Sequence, residues 1–298
     1  MRLGQARPAG GGATVAAMPH SSPGVGTVTG ERVSTVDAAG ALAYAAATND
    51  DGARYADGRL APPVFAVVAT WPSLSAALAD ALPAGALAMV VHYEQDMHFA
   101  RALSPGRILA TRHQPFNVRP GRTGTRYTVH LASRDAAGGE PVLDQYATMF
   151  VRGLTGGDAA GPDAPDHGFP PPARATPVGQ HTMVVDEDQT TRYRDISGDA
   201  NPIHVDDDAA RRVGLPGRIV HGLCTMAMAG RSVLAVVGGG DPAGLRRLAV
   251  RFADIVRPGD ELTTTVYDGG VAGDRRIHPF ETHVGGRLVV SHGRAELG

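Results

Sequence analysis

The densest run of polar side chains in the chain is Tyr193-Arg-Asp-Ile-Ser197-Gly198-Asp199-Ala-Asn201-Pro202-Ile203-His204-Val-Asp206. An aspartate and a histidine aimed at one water can serve as general base and general acid, the pairing that adding water across an activated double bond requires. On an unbroken helix Asp199 and His204 would diverge by about 140°, because five residues overshoot a turn of 3.6. Pro202 removes that helix: it has no amide hydrogen to donate and pushes Asn201 toward extended backbone, while Gly198 tolerates a tight exit from the segment before it. The spacing therefore predicts a loop that converges the two side chains, and a lyase is the reaction class it suits. Tyr193, Ser197 and Asn201 of the same run are candidates for binding the substrate, and so is His221 farther on, with packing beside an apolar helix as its plainer role.

All 28 basic residues among the 298 are arginines; there is no lysine. Schiff-base chemistry, pyridoxal phosphate anchoring and the Walker A phosphate loop each need a lysine amine and are excluded. No G-x-S-x-G elbow, dinucleotide fingerprint or EF-hand loop is present. Gly238-Gly239-Gly240 follows a helical pattern instead of opening one, so it reads as a helix exit and not a phosphate cradle. No cofactor is implied. The single cysteine, Cys224, rules out intramolecular disulfides and multi-cysteine metal sites. A metal-dependent hydrolase built on Asp199, His204 and Asp206 lacks a second histidine at ligand spacing such as i+4. With a formal charge of -2 and no long block of like charge, nothing marks a nucleic-acid partner. The longest apolar run, Leu223 to Val237, carries Arg231 and is too short to cross a bilayer. No basic stretch leads into an apolar one at the N-terminus, so a cytoplasmic protein without a membrane partner is expected.

Two stretches rich in Gly, Pro, Ser and Ala divide the chain: residues 1–30, expected as a disordered tail, and residues 153–177, expected as a linker. The segments between them, 31–152 and 178–298, read as copies of one another. Phe99-Ala100, Pro105-Gly106 and Leu109 recur as Phe252-Ala253, Pro258-Gly259 and Leu262, all at an offset of 153. Val36-Asp37, Tyr44 and Asp50 face Val185-Asp186, Tyr193 and Asp199 at an offset of 149, which a short indel reconciles. In the second copy a helix is expected over Asp188 to Ser197, closed by Gly198. Another is expected over Asp206 to Val213, capped by Asp206, with acidic residues in its first turn and arginines in its last. A long helix from Gly222 to Val237 is apolar nearly all round and so belongs inside a sheet. Strands are expected over Leu248 to Ile255, Glu261 to Tyr267, Ile277 to Val284 and Leu288 to Ala295. The first copy shows the same order: a helix over Val64 to Leu82 interrupted at Pro72, then strands near 87–103, 107–118, 124–134 and 141–151. Each copy is thus α+β.

The motif S-G-D-A-N-P-I-H-x-D, followed by A-A-x-x-x-G and by I-V-H-G at 219–222, resembles the MaoC-like (R)-specific enoyl-CoA hydratase family. Ala61-Pro62-Pro63-Val64-Phe65 and Val91-His92-Tyr93-Glu94-Gln95 resemble the non-catalytic repeat of its two-repeat members. The resemblance implies a double hot-dog fold, two tandem curved antiparallel sheets each wrapped around a long helix. It implies reversible syn addition of water to a trans-2-enoyl thioester, on coenzyme A or an acyl-carrier protein. The family's catalytic Asp and His fall on Asp199 and His204 and its oxyanion-binding glycine amide on Gly222. Gly222 would also open the long helix, whose unpaired amides and positive dipole end suit a thioester oxyanion, with relief of crowding between helix and sheet as the alternative role. Asp50 faces Asp199, but Tyr55 stands where His204 would, so one site per chain is expected. Phe65, Val67, Val68 and Trp71 of that degenerate half are candidates for an acyl tunnel, with core packing as the plainer role. The family favours a homodimer, although this chain already holds the two-repeat unit that single-repeat relatives build by dimerising. The family's glycine-rich signature is reduced here to Arg152-Gly-Leu-Thr-Gly-Gly157, and Tyr93 stands where a glycine is common, so a dehydratase of carrier-bound biosynthetic intermediates stays open. A hot-dog thioesterase shares the fold and substrate, and Asp199 alone would serve it; a non-catalytic acyl-binding protein is disfavoured by the intact acid-base pair.

Overall fold

The structure, a computed structural model, describes residues 24–50, 52–83, 86 and 90–298. In the first half β1 (Thr29–Thr35) leads to helix α1 (Ala38–Ala47), a broken helix α2 (Phe65–Ala69) and α3 (Trp71–Ala81), and strands β2 (Val90–Phe99), β3 (Ile108–Pro120), β4 (Gly124–Asp135) and β5 (Pro141–Arg152). The second half repeats the order with β6 (Pro177–Val184), α4 (Gln189–Ser197), α5 (Asp207–Arg212), α6 (Gly222–Val237), β7 (Leu245–Phe252), β8 (Glu261–Tyr267), a two-residue β9 (Val271–Ala272), β10 (Arg275–Val284) and β11 (Arg287–Leu297). The long helix and the strands that follow it stand close to where the apolar periodicity puts them. Strands β1 and β6, which begin each copy, have mostly exposed residues and so carry no apolar alternation in the sequence. Of the expected tail, residues 1–23 lie outside the described residues. The rest is tied down: Gly26 donates to the Pro115 carbonyl at 2.9 Å, and Thr29 and Gly30 belong to β1.

All strands join one antiparallel sheet in the order β1-β3-β4-β5-β2-β7-β11-β10-β8-β6, with β9 paired to β10. Each half is a five-stranded curved layer around its own helix, and β2 and β7 zip the two layers together, the double hot-dog arrangement. The seam locates the internal symmetry. Asp96 lies opposite Ala249 across β2 and β7, and Ala249 is also its repeat mate at the offset of 153. Glu94 opposite Arg251 likewise mirrors Arg247 opposite His98.

Helix α6 fills the second layer. Cys224, Met226, Met228, Ala229 and Val233 are wholly buried, and Gly230 lets the helix approach so closely that a Cβ there would lie 2.8 Å from Leu248. Full burial of one such Met or Leu side chain is worth about 2 kcal/mol. In the first half the corresponding helix breaks at Thr70, not at Pro72. The Thr70 hydroxyl donates to the Ala66 carbonyl at 2.8 Å and accepts from Gln145, and its own carbonyl receives the amides of Ser73 and Leu74. Pro72 falls in the first turn of α3, where no amide hydrogen is needed.

On the sheet face away from the helices, Arg247 grips Asp96 with two bonds of 3.0 and 2.8 Å, and Arg251 meets Glu94 at 2.5 Å. Residues 153–177 cross this face. Asn117 donates to the Pro162 carbonyl, Arg247 to that of Asp166, and His167 to that of His292.

Candidate active site

The loop after α4 is shaped by its own residues. Gly198 takes the left-handed conformation at φ 76° and ends the helix, and the Ser197 hydroxyl accepts the Asp199 amide at 3.2 Å. Asp199 Oδ1 in turn accepts the Asn201 amide at 3.2 Å, and Asn201 Oδ1 caps the short 3-10 turn of Pro202, Ile203 and His204 by accepting from Ile203. Beyond it Asp206 caps α5 through the amides of Asp208 and Ala209. Asp207 receives the Arg218 amide at 2.7 Å, fastening the segment that runs into His221.

These turns bring Asp199, His204 and His221 together, with one donor atom of each within 4.8 Å of the others. His204 is 8% exposed, and its Nδ1 donates to the Ile219 carbonyl at 2.8 Å, which leaves Nε2 as an acceptor facing the cluster. Burial lowers its basicity, against the Ile219 bond and the charge of Asp199, which raise it. His221 is 2% exposed; its Nε2 donates to the backbone carbonyl of Asp199 at 3.1 Å. Burial holds its imidazole down to about 4, with His204 pushing the same way and Asp199 opposing. The two rings stack at 3.8 Å between centroids, 26° from parallel.

His221 is the second histidine that linear spacing could not supply for a metal. Its Nε2 is already bonded to the Asp199 carbonyl, so the buried Nδ1, which has no hydrogen-bond partner, is its one free ligand atom. The three groups could hold a cation, and Asp199 with His204 Nε2 could equally accept from one water between them.

Helix α6 opens at Gly222 directly behind His221, and no acidic residue in its first turn offsets the positive end of the dipole. A Cβ on Gly222 would lie 3.3 to 3.4 Å from three atoms of the Phe252 ring. The edge of His92, from the first half, meets Phe252 with centroids 5.2 Å apart at 72°. Of the residues expected to bind substrate, Tyr193 and Ser197 are buried supports: Tyr193 packs between Tyr44 and His221, at 5.6 and 4.9 Å, and Ser197 is spent on the Asp199 amide. Asn201 is exposed on the loop. Sequence reasoning does not single out Phe252 or His92, because the packing of one half on the other places them here. In the first half Asp50 accepts the Tyr55 hydroxyl at 2.7 Å and pairs with Arg231 of α6 at 2.6 Å.

Comparison with known proteins gives a consistent picture. The profile of the family described as "MaoC like domain" matches residues 169–286. The chain is 32% identical over 225 residues to 3-hydroxyacyl-thioester dehydratase Y of Mycobacterium tuberculosis, covering 70% of this chain and 73% of that protein. It is 27% identical over 180 residues to a probable enoyl-CoA hydratase 2 of Dictyostelium discoideum, spanning only 60% of either chain. The crystal structure of a MaoC-like dehydratase from Phytophthora capsici superposes with a TM-score of 0.81 at 25% identity, over 90% of this chain and 94% of that one.

Proposed function

Because the chain belongs to the MaoC-like dehydratase family, we propose that it is a hydro-lyase interconverting trans-2-enoyl thioesters and (R)-3-hydroxyacyl thioesters. The observation that carries this reading is the pair of acceptors at the loop. Asp199 keeps an oxygen beyond the one bonded to Asn201, and His204 presents Nε2. A water donating one hydrogen to each turns its own lone pair outward, toward C3 of a bound enoyl group. As the C3–O bond forms, the pair takes the water's proton and returns one to C2 on the same face. The electrons of the C2–C3 double bond pass meanwhile toward the thioester oxygen, where the Gly222 amide and the helix dipole stabilise the charge. Dehydration runs the same steps backward. The acyl carrier is a thioester of coenzyme A or of a carrier protein; the relatives named above fit either.

The test is loss of enoyl-thioester absorbance with crotonyl-CoA and a longer trans-2-enoyl-CoA. An (R)-3-hydroxyacyl product is expected from the wild type, and a fall of at least about 100-fold in both Asp199→Asn and His204→Gln. Release of free thiol in place of a hydroxyacyl product would establish a thioesterase instead.

A further inference from the structure

We propose that His92, supplied by the degenerate half, is a positioning residue of the active site in the other half, acting through Phe252 on the Gly222 amide. This inference rests on the hydro-lyase reading above and extends it to the substrate's carbonyl end.

Three observations lead to it. First, β2 is irregular here: its register against β5 shifts between His92 and Glu94. His92 Nε2 donates to the Glu94 carbonyl at 3.1 Å, so the ring is held by a bond local to that irregularity. Second, the ring borders the site. It abuts Phe252, which covers Gly222, and the charge of Asp199 is among the influences opposing the effect of burial on its basicity.

Third, the internal symmetry supplies a control within the molecule. The offset of 153 that relates Asp96 to Ala249 relates Phe99 to Phe252 and His92 to Leu245. In the degenerate half Phe99 and Leu245 line one small cleft with Ala61 and Pro63. Both halves therefore keep a phenylalanine on the helix-bearing side of the sheet and receive a neighbour for it from across the seam. Where there is no chemistry, that neighbour is leucine, which serves packing alone. Where Gly222 opens the catalytic helix, it is a histidine anchored by a hydrogen bond. The polar anchor fixes the Phe252 ring, and the ring sets how far the thioester oxygen can settle toward the Gly222 amide. A misplacement well below an ångström weakens such a bond in the transition state more than it weakens binding of the ground state.

The experiment compares His92→Leu, which copies the degenerate half, with His92→Gln, whose side-chain amide can still donate to the Glu94 carbonyl. We expect His92→Leu to lower kcat on trans-2-enoyl-CoA about tenfold with KM nearly unchanged, and His92→Gln to recover most of the loss. A second readout needs no turnover: in the Asp199→Asn background, the red shift of a bound conjugated enoyl thioester reports polarisation of its carbonyl. It should shrink with His92→Leu and persist with His92→Gln. Wild-type kcat and an intact red shift in His92→Leu would overturn the proposal, as would a loss of kcat that merely follows Tm. Were the wild type to show no hydration, the hydro-lyase reading would fall, while the red shift would still decide whether His92 governs the Gly222 contact.

Discussion

Replacing His221 with phenylalanine should change how the stability of the protein depends on pH. His221 is packed between Tyr193 and His204 and is held at about 4 by burial, whereas a histidine in the unfolded chain titrates near about 6.5. Between those values the unfolded chain carries a proton that the native chain does not, so native stability rises with pH by up to about 1.4 kcal/mol per unit from this residue alone. The contribution is fully present above about pH 6.5 and is lost as pH falls toward 4, on the order of 3 kcal/mol in all. Phenylalanine keeps the ring stack but does not titrate, and it gives up the bond to the Asp199 carbonyl, at a cost of about 1 kcal/mol. Equilibrium urea unfolding from about pH 7.5 to about pH 4.5 should thus find His221→Phe less stable than wild type at the upper end, with the gap closing or inverting at the lower end. His92 is also depressed by burial and gives both proteins a common slope. Parallel curves for the two proteins would refute the argument.

Activity should follow the same logic. Because burial lowers His204, its Nε2 stays an acceptor below the ordinary histidine range, and kcat/KM should hold as pH drops through about 6.5 before failing at a lower pH; a profile already half-lost at about 6.5 would contradict this. Gly222→Ala must push the Phe252 ring by a few tenths of an ångström. We expect kcat to fall at least about tenfold with Tm little changed, measured on the same enoyl-CoA substrate. Asp50→Asn strands the Arg231 guanidinium, which is only 20% exposed, and should cost on the order of 2 kcal/mol of stability in urea while leaving hydration within about threefold.

The elements that carry the site were legible because each is written in local chemistry. The apolar circumference of Gly222–Val237 marks a buried helix, Gly198 and Asp206 mark its neighbours' ends, and Pro202 breaks the helix that would have separated Asp199 from His204. What the sequence could not display is what crosses between elements. His221 stands 17 residues beyond His204 and reaches it only because Asp207 and the Ile203 carbonyl tie down the intervening backbone. Tyr193 and Ser197 share the motif's polarity yet face inward from α4: Tyr193 packs between Tyr44 and His221, and the Ser197 hydroxyl satisfies the Asp199 amide. The irregularity at His92 belongs to the pairing of β2 with β5, which no local pattern encodes.

Asp50 and Asp199 occupy equivalent places after equivalent helices. Asp50 Oδ2 accepts the Tyr55 hydroxyl, and its Oδ1 is ion-paired with Arg231 at 2.6 Å and Arg54 at 3.8 Å. Among the described residues no arginine pairs with Asp199; Asn201 takes one oxygen, and Pro202 turns the chain so that a histidine, not a tyrosine, comes back to face it. A phenol that donates to a carboxylate occupies one of its oxygens, and the phenol oxygen, though it can still accept a hydrogen bond, is no base that could take a proton from water. An imidazole fixed through its other nitrogen brings an acceptor of its own and leaves room for the water between. The first half thus holds its carboxylate in an ion pair with α6, and through β2 it sets His92 against Phe252 across the seam.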